Sequence, residues 1–238
     1  MLAPLWEGEK VMHRAFKALV LSAVTILAVL GYAPASFAQN PQVTVSVFSD
    51  VPVPAALLSR AERRAQEIFS VAGVDIAWVD CTGTHVADSA PDACTKHYGP
   101  DDFVLRITSH VSATSDAAFG VAFLGSDGRG RYADVFWNRA VRLDANSDAN
   151  THLGQDRVLG SVMAHELGHL LLGLHSHSVS GLMRGHWGSD ELHRMDMGNL
   201  LFLPEQGKRM RARIAEASSA LVSNGTNTVR LLGGKRVP

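Results

Sequence analysis

Cysteine is scarce in this chain: its 238 residues include only Cys81 and Cys94. Neither directly follows the first apolar run, so a lipoprotein-type anchor has no thiol to attach to. Net charge is lacking too, with 22 Lys and Arg against 23 Asp and Glu giving −1. There is no basic stripe, and the few arginine clusters fall on helix faces, which excludes an ordinary nucleic-acid binder. No apolar run is long enough for a comfortable membrane span; the candidate, Ala18 to Leu30, gives way to Gly31, Pro34 and Ser36. An internal repeat and a second core are both missing, so one domain is expected. With 46% hydrophobic residues, that domain reads as an ordinary globule.

The short apolar run has the makings of an export signal. His13, Arg14 and Lys17 precede it, and Ser36-Phe37-Ala38 puts small residues at −3 and −1, so cleavage is expected after Ala38. Residues 1–11 do not resemble a signal start, and translation from Met12 would give a better one. The expected organisation is a signal over 1–38, a domain over 39–222 and a flexible tail over 223–238. The mature protein is expected to be secreted or periplasmic, with no stable membrane anchor. Export suits the cysteines: they flank a turn-rich insert, and a bridge closing such a loop stabilises by about 3 kcal/mol in the chain-entropy model.

The mature chain opens with Val43, Val45 and Val47 alternating with polar residues, the period of a half-buried strand. After Pro52 and Pro54, apolar positions 57, 58, 61, 65, 68, 69 and 72 follow helical spacing over Ala55 to Ala72. Gly73 stops that helix. Val74, Ile76 and Trp78 make a second strand, and the strand-helix-strand order predicts a parallel pair. Further strands are expected at 103–107, 119–123 and 133–137. The segment 138–154 reads as loop, 190–197 as a short helix, and Pro204 begins a last helix to about Ala220. The fold class is therefore α/β (α+β): a mixed twisted sheet of about five strands on two long helices, plus a C-terminal helix.

The chemistry sits in His165-Glu166-Leu167-Gly168-His169, inside the apolar run Val158 to Leu172. Residues four apart return to one face of a helix, so His165 and His169 can hold one metal ion. Glu166, turned by about 100°, can reach a water there without being a ligand. Burying His, His and Glu among leucines costs several kcal/mol unless something pairs them. Zinc suits imidazole nitrogen, and a catalytic zinc needs three protein ligands and an open position. Most of the 11 histidines lie between His152 and His193. Gly173 is placed to end the helix in a left-handed turn, and beyond it His175 and His177 can each swing back to complete the site.

The order H-E-x-x-H, a glycine, a histidine and then Gly181-Leu182-Met183 resembles the metzincin metallopeptidases, in particular their matrix-type members. It is still more similar to bacterial secreted proteins carrying H-E-[IL]-G-H-L-L-L-G, S-H-S and G-[IL]-M. The resemblance implies a zinc metalloendopeptidase with a metzincin-like fold, Glu166 as general base and Met183 in a Met-turn beneath the metal. It also implies a peptide or protein substrate lying along an edge strand, for which 119–123 is the candidate. Zinc is the only cofactor expected, and the chain is expected to act as a monomer.

The chain departs from the metzincin pattern in two places. Leu172 occupies the glycine position, with Gly173 one place later, and no tyrosine follows the Met-turn. With the bend at Gly173, His175 has little chain in which to reverse towards the metal. His177 is therefore the favoured third ligand and His175 its competitor. Oxyanion donors could come from Arg184, His186 or Tyr132. Two alternatives stay open: a zinc protein without turnover, closed by both His175 and His177, or a zinc hydrolase of a non-peptide amide or ester.

Overall fold

The computed structural model describes residues 39–83, 92–95, 99–110, 118–145 and 153–232, with side chains omitted at 92, 93, 144, 145 and 221–232. The proposed signal with its Ala38 cleavage site, most of the cysteine insert and residues 233–238 lie outside them. From Asn40 onward the described residues belong to one compact unit.

Strand β1 (Gln42–Ser49) buries Val43, Val45 and Val47 on one face, as their alternation requires. Helix α1 (Ala55–Val71) follows Pro54 and buries Leu57, Leu58, Ala61, Ala65, Ile68 and Phe69. Gly73, at φ 75°, makes the turn into β2 (Asp75–Asp80), which pairs parallel to β1 with Val45 opposite Trp78. Cys81 and Cys94 form a disulfide with their Cα atoms 5.7 Å apart, tying the end of β2 to the short helix α2 (Asp92–Thr95). Strand β3 (Asp102–Thr108) lies parallel on the other side of β1. Strand β5 (Tyr132–Phe136) is parallel to β3, and β4 (Gly120–Phe123) closes the edge antiparallel to β5. The order is β2-β1-β3-β5-β4, a mixed five-stranded sheet.

Odd-numbered residues of β1, β3 and β5, among them Val45, Leu105, Ile107 and Val135, and their even-numbered register partners in β2 and β4, such as Ile76 and Ala122, turn towards the helices and form the core with α1 and α4 (Gln155–Leu172). The two helices come together closely at Gly160, where a Cβ would lie 2.5 Å from the Ala61 carbonyl oxygen. On the opposite face Arg106 and Asp134, partners in the β3–β5 register, form a two-pronged ion pair at 2.9 and 2.7 Å. Helix α5 (Ser189–Asp196) leads to α6 (Pro204–Leu232).

Three expectations need correction. The stretch after β5 is not loop throughout: α3 (Trp137–Ala145) begins directly at the strand's end, with Ala140 buried and Trp137 and Leu143 packed on the core. Its apolar spacing is masked in the sequence by the Asn- and Asp-rich residues that follow. The last helix does not stop near Ala220 but runs on to Leu232, through part of the expected tail. No proline interrupts it, and extending an existing helix adds one backbone bond per residue fixed. The turn at Gly173 has the positive φ expected, 82°, but with ψ −160° it lies outside the left-handed helical region.

Candidate metal centre

His165 and His169 project one turn apart from α4, and their Nε2 atoms lie 3.1 Å from each other. Two nitrogens bound to one tetrahedral ion at 2.0–2.1 Å would be separated by about 3.3 Å. Each ring is fixed through its other nitrogen. His165 Nδ1 donates to the Leu182 carbonyl oxygen at 2.8 Å, which leaves Nε2 as a lone-pair donor. Trp187 Nε1 donates to the same oxygen at 3.0 Å, and its ring meets His165 edge-on. His169 Nδ1 lies 2.6 Å from the Ser176 hydroxyl.

After Gly173 the chain turns a second time at His175, the only non-glycine residue with positive φ among those described (56°). This turn seats Ser176, which is buried, against His169 and brings His177 over both rings. The His177 ring centre lies 4.7 Å from that of His169 and 5.6 Å from that of His165. Donor atoms of His165, His169 and His177 all fall within 4.8 Å of one another. His175 is exposed and outside this group. Gly185 makes room for the third ring: a Cβ there would sit 3.2 Å from His177 Nδ1.

Burial pushes the His165 and His169 imidazoles down, to about 4 and about 3, and the mutual repulsion of the rings adds to it. Both are neutral at physiological pH, the form that can donate to a metal. Glu166, buried next to them, is pushed up to about 8 by desolvation. A cation would lower it again. Three imidazoles, two of them held neutral by burial, and a nearby carboxyl that need not be a ligand fit an open zinc site by donor chemistry.

Two glycines of the site carry information that sequence reasoning missed. At Gly120, the first residue of β4, a Cβ would meet Glu166 Cγ at 2.6 Å and Cδ at 2.7 Å. The edge strand therefore lies directly against the carboxyl. At Gly168 a Cβ would lie 2.6 Å from Met183 Sδ, so fully buried Met183 packs on the metal-facing helix. A signal was present: glycine inside a helix is unfavourable by about 1 kcal/mol relative to alanine, and its presence usually marks a close approach.

A cleft of about 670 Å³ runs from the three histidines and Glu166 along β4 to α3. Arg184 and His186 line it, whereas Tyr132 lines a hollow on the far face of the sheet. Arg184 is held by Glu191, at 2.7 Å, in a loop further tied by the Gly188 N–H donating to the same carboxylate.

No protein-family model matches the chain, and no curated protein matches it. Among solved structures, archaemetzincin from Methanopyrus kandleri is similar over 73% of this chain and 96% of its own, with 20% identity and a TM-score of 0.45. Myroilysin is similar over 71% of each chain, with 14% identity and a TM-score of 0.31. Likenesses of this size leave the reading of the site to its own geometry.

Proposed function

We propose that the chain is an exported zinc-dependent metallopeptidase of metzincin type. The observation that carries this reading is the convergence of three imidazole donors beside a buried carboxyl that opens onto a cleft. His165, His169 and His177 would hold the ion, which when bound supplies Lewis acidity and a water acidified towards neutral pH. Glu166 would act as the general base, taking up a proton at a carboxylate oxygen and giving it to the departing amine. Its tight seat against Gly120 keeps it from swinging away. The Leu182 carbonyl, itself held by Trp187, keeps His165 in the tautomer that donates through Nε2, and the Ser176 hydroxyl orients His169.

The outer edge of β4, unpaired among the described strands, offers backbone groups to an extended peptide, which adds to the sheet as one more strand. The disulfide suits an oxidising compartment, and no described helix is long and apolar enough to cross a membrane. A closed four-histidine site has no support in the geometry, since His175 stands apart. An amide or ester hydrolase would share the chemistry, and the choice of substrate separates it.

The test is metal analysis of the purified mature protein together with cleavage of a broad peptide library, with and without chelator. One zinc per chain and chelator-sensitive cleavage are expected. Glu166→Gln should retain the zinc and lose about 100- to 10,000-fold in turnover. Full activity in that variant would refute the general-base role, and loss of zinc would make Glu166 a ligand.

A further inference from the structure

Away from the histidines, the cleft ends beneath α3. Arg139, Arg142 and Leu143 line it there. They stand at i, i+3 and i+4 and so form one continuous patch on the helix surface. Val162 of α4 also lines it, four residues or about 6 Å along the helix before Glu166. The third wall is β4 and the residue after it, through Ala122 and Leu124.

Among the described residues, few carboxylates reach this space. Glu166 is the only carboxylate among the described residues that line the cleft, and it belongs to the metal end. Arg184 is matched by Glu191. Arg139 donates through Nη1 to the Ala118 carbonyl oxygen, and its guanidinium stands 5.4 Å over the Phe136 ring. Arg142 donates through Nε to the Asn138 carbonyl oxygen one turn back, at 3.1 Å, and no carboxylate among the described residues forms an ion pair with it. Its two terminal nitrogens are the outward fork that matches a carboxylate. The apolar walls suit the methylene stem of a glutamate, while Arg142 itself is exposed, so its attraction for a carboxylate is screened by solvent and salt.

We propose that this end of the cleft selects substrates carrying an acidic side chain, gripped by Arg142. The assignment rests on the cleft being a peptide-binding site. A free C-terminal carboxylate would satisfy the same fork, and capped peptides separate the two sources.

The experiment uses zinc-loaded mature protein carrying Glu166→Gln, so that binding is read without turnover. The probes are short peptides, acetylated and amidated, that differ only in Glu or Gln at one position, scanned along the sequence. At one position the Glu peptide should bind about fivefold more tightly than its Gln twin at low salt. The preference should shrink at high salt and vanish when Arg142→Gln is added. Equal binding at every position, or no binding, overturns the proposal, as does a preference that survives Arg142→Gln in a protein with native circular dichroism. Should that variant not fold, the salt series decides: a preference indifferent to salt is not electrostatic. Preference for C-terminal carboxylates alone, with uncapped peptides, also overturns it. Wild-type protein assayed with the same peptides keeps the two readings apart. Selective binding without cleavage would fail the peptidase reading and leave the pocket for an acidic side chain standing.

Discussion

Glycine 120 and serine 176 decide how well the site is built, although neither touches a metal. A methyl group at position 120 has to push either the Glu166 side chain or the Asp134 carbonyl oxygen, which would lie 2.5 Å away. Misplacing a reacting group by about 1 Å can cost about 100-fold in rate. Gly120→Ala is therefore expected to keep zinc at wild-type affinity while turnover falls by that order; metal titration and steady-state rates on one peptide check both halves. Ser176 acts through His169. Ser176→Ala removes the hydroxyl that orients the ring, so zinc affinity should drop about 10- to 100-fold. Unchanged affinity in a competition titration would show that the 2.6 Å contact does not orient the ligand.

Among the elements, α1 carries a group held in an unfavourable charge state. Glu62 is pushed up to about 7, first by burial and then by the negative charge of Asp80, and its Oε1 is buried with no hydrogen-bond partner. Because its folded pKa lies above the ordinary 4.5, the folded protein binds the proton more tightly than the unfolded chain. Its contribution is fully present below about pH 4.5 and is lost as pH rises through about 7. Glu62→Gln should then be more stable than wild type above pH 7, by about 1 kcal/mol once solvent screening of this half-exposed group is discounted, with no gain at acid pH. Urea midpoints at the two pH values test it.

Element by element, what was legible in the sequence had a strong local period. The valines of β1, the heptad-like face of α1 and the buried run of α4 all announce themselves, and Gly73 and Pro204 mark boundaries by backbone chemistry. Helix α3 was hidden because its nine residues barely exceed two turns and run into polar Asn and Asp. In the site, His165, Glu166 and His169 share one helical spacing and could be read together. Where His177 goes depends on the positive φ of His175, which no composition rule foretells for a histidine. That Tyr132 faces away follows from strand alternation, once its neighbour Ala133 is known to be in the core.

At the scale of the whole molecule, the last helix holds the end of the metal helix. Arg209 and Arg213 both donate to the Leu172 carbonyl oxygen, and Arg213 also donates to Gly128 in the β4–β5 connection. The carbonyls at a helix end have no partner inside the helix, so these guanidiniums take the place of solvent just before the turn that delivers His177. The consequence is one of dynamics. The first part of α6, the end of α4 and the segment from Leu174 to Ser178 should open together, as one cooperative unit, and not as a loop fraying by itself. Hydrogen exchange followed by mass spectrometry should give residues 174–178 and 204–214 matching opening free energies, and Arg213→Ala should lower both. If the loop exchanges freely while α6 stays protected, the two are uncoupled. If they are coupled, the ability of this chain to keep its third histidine in place is set by a helix that contributes no donor atom to the metal.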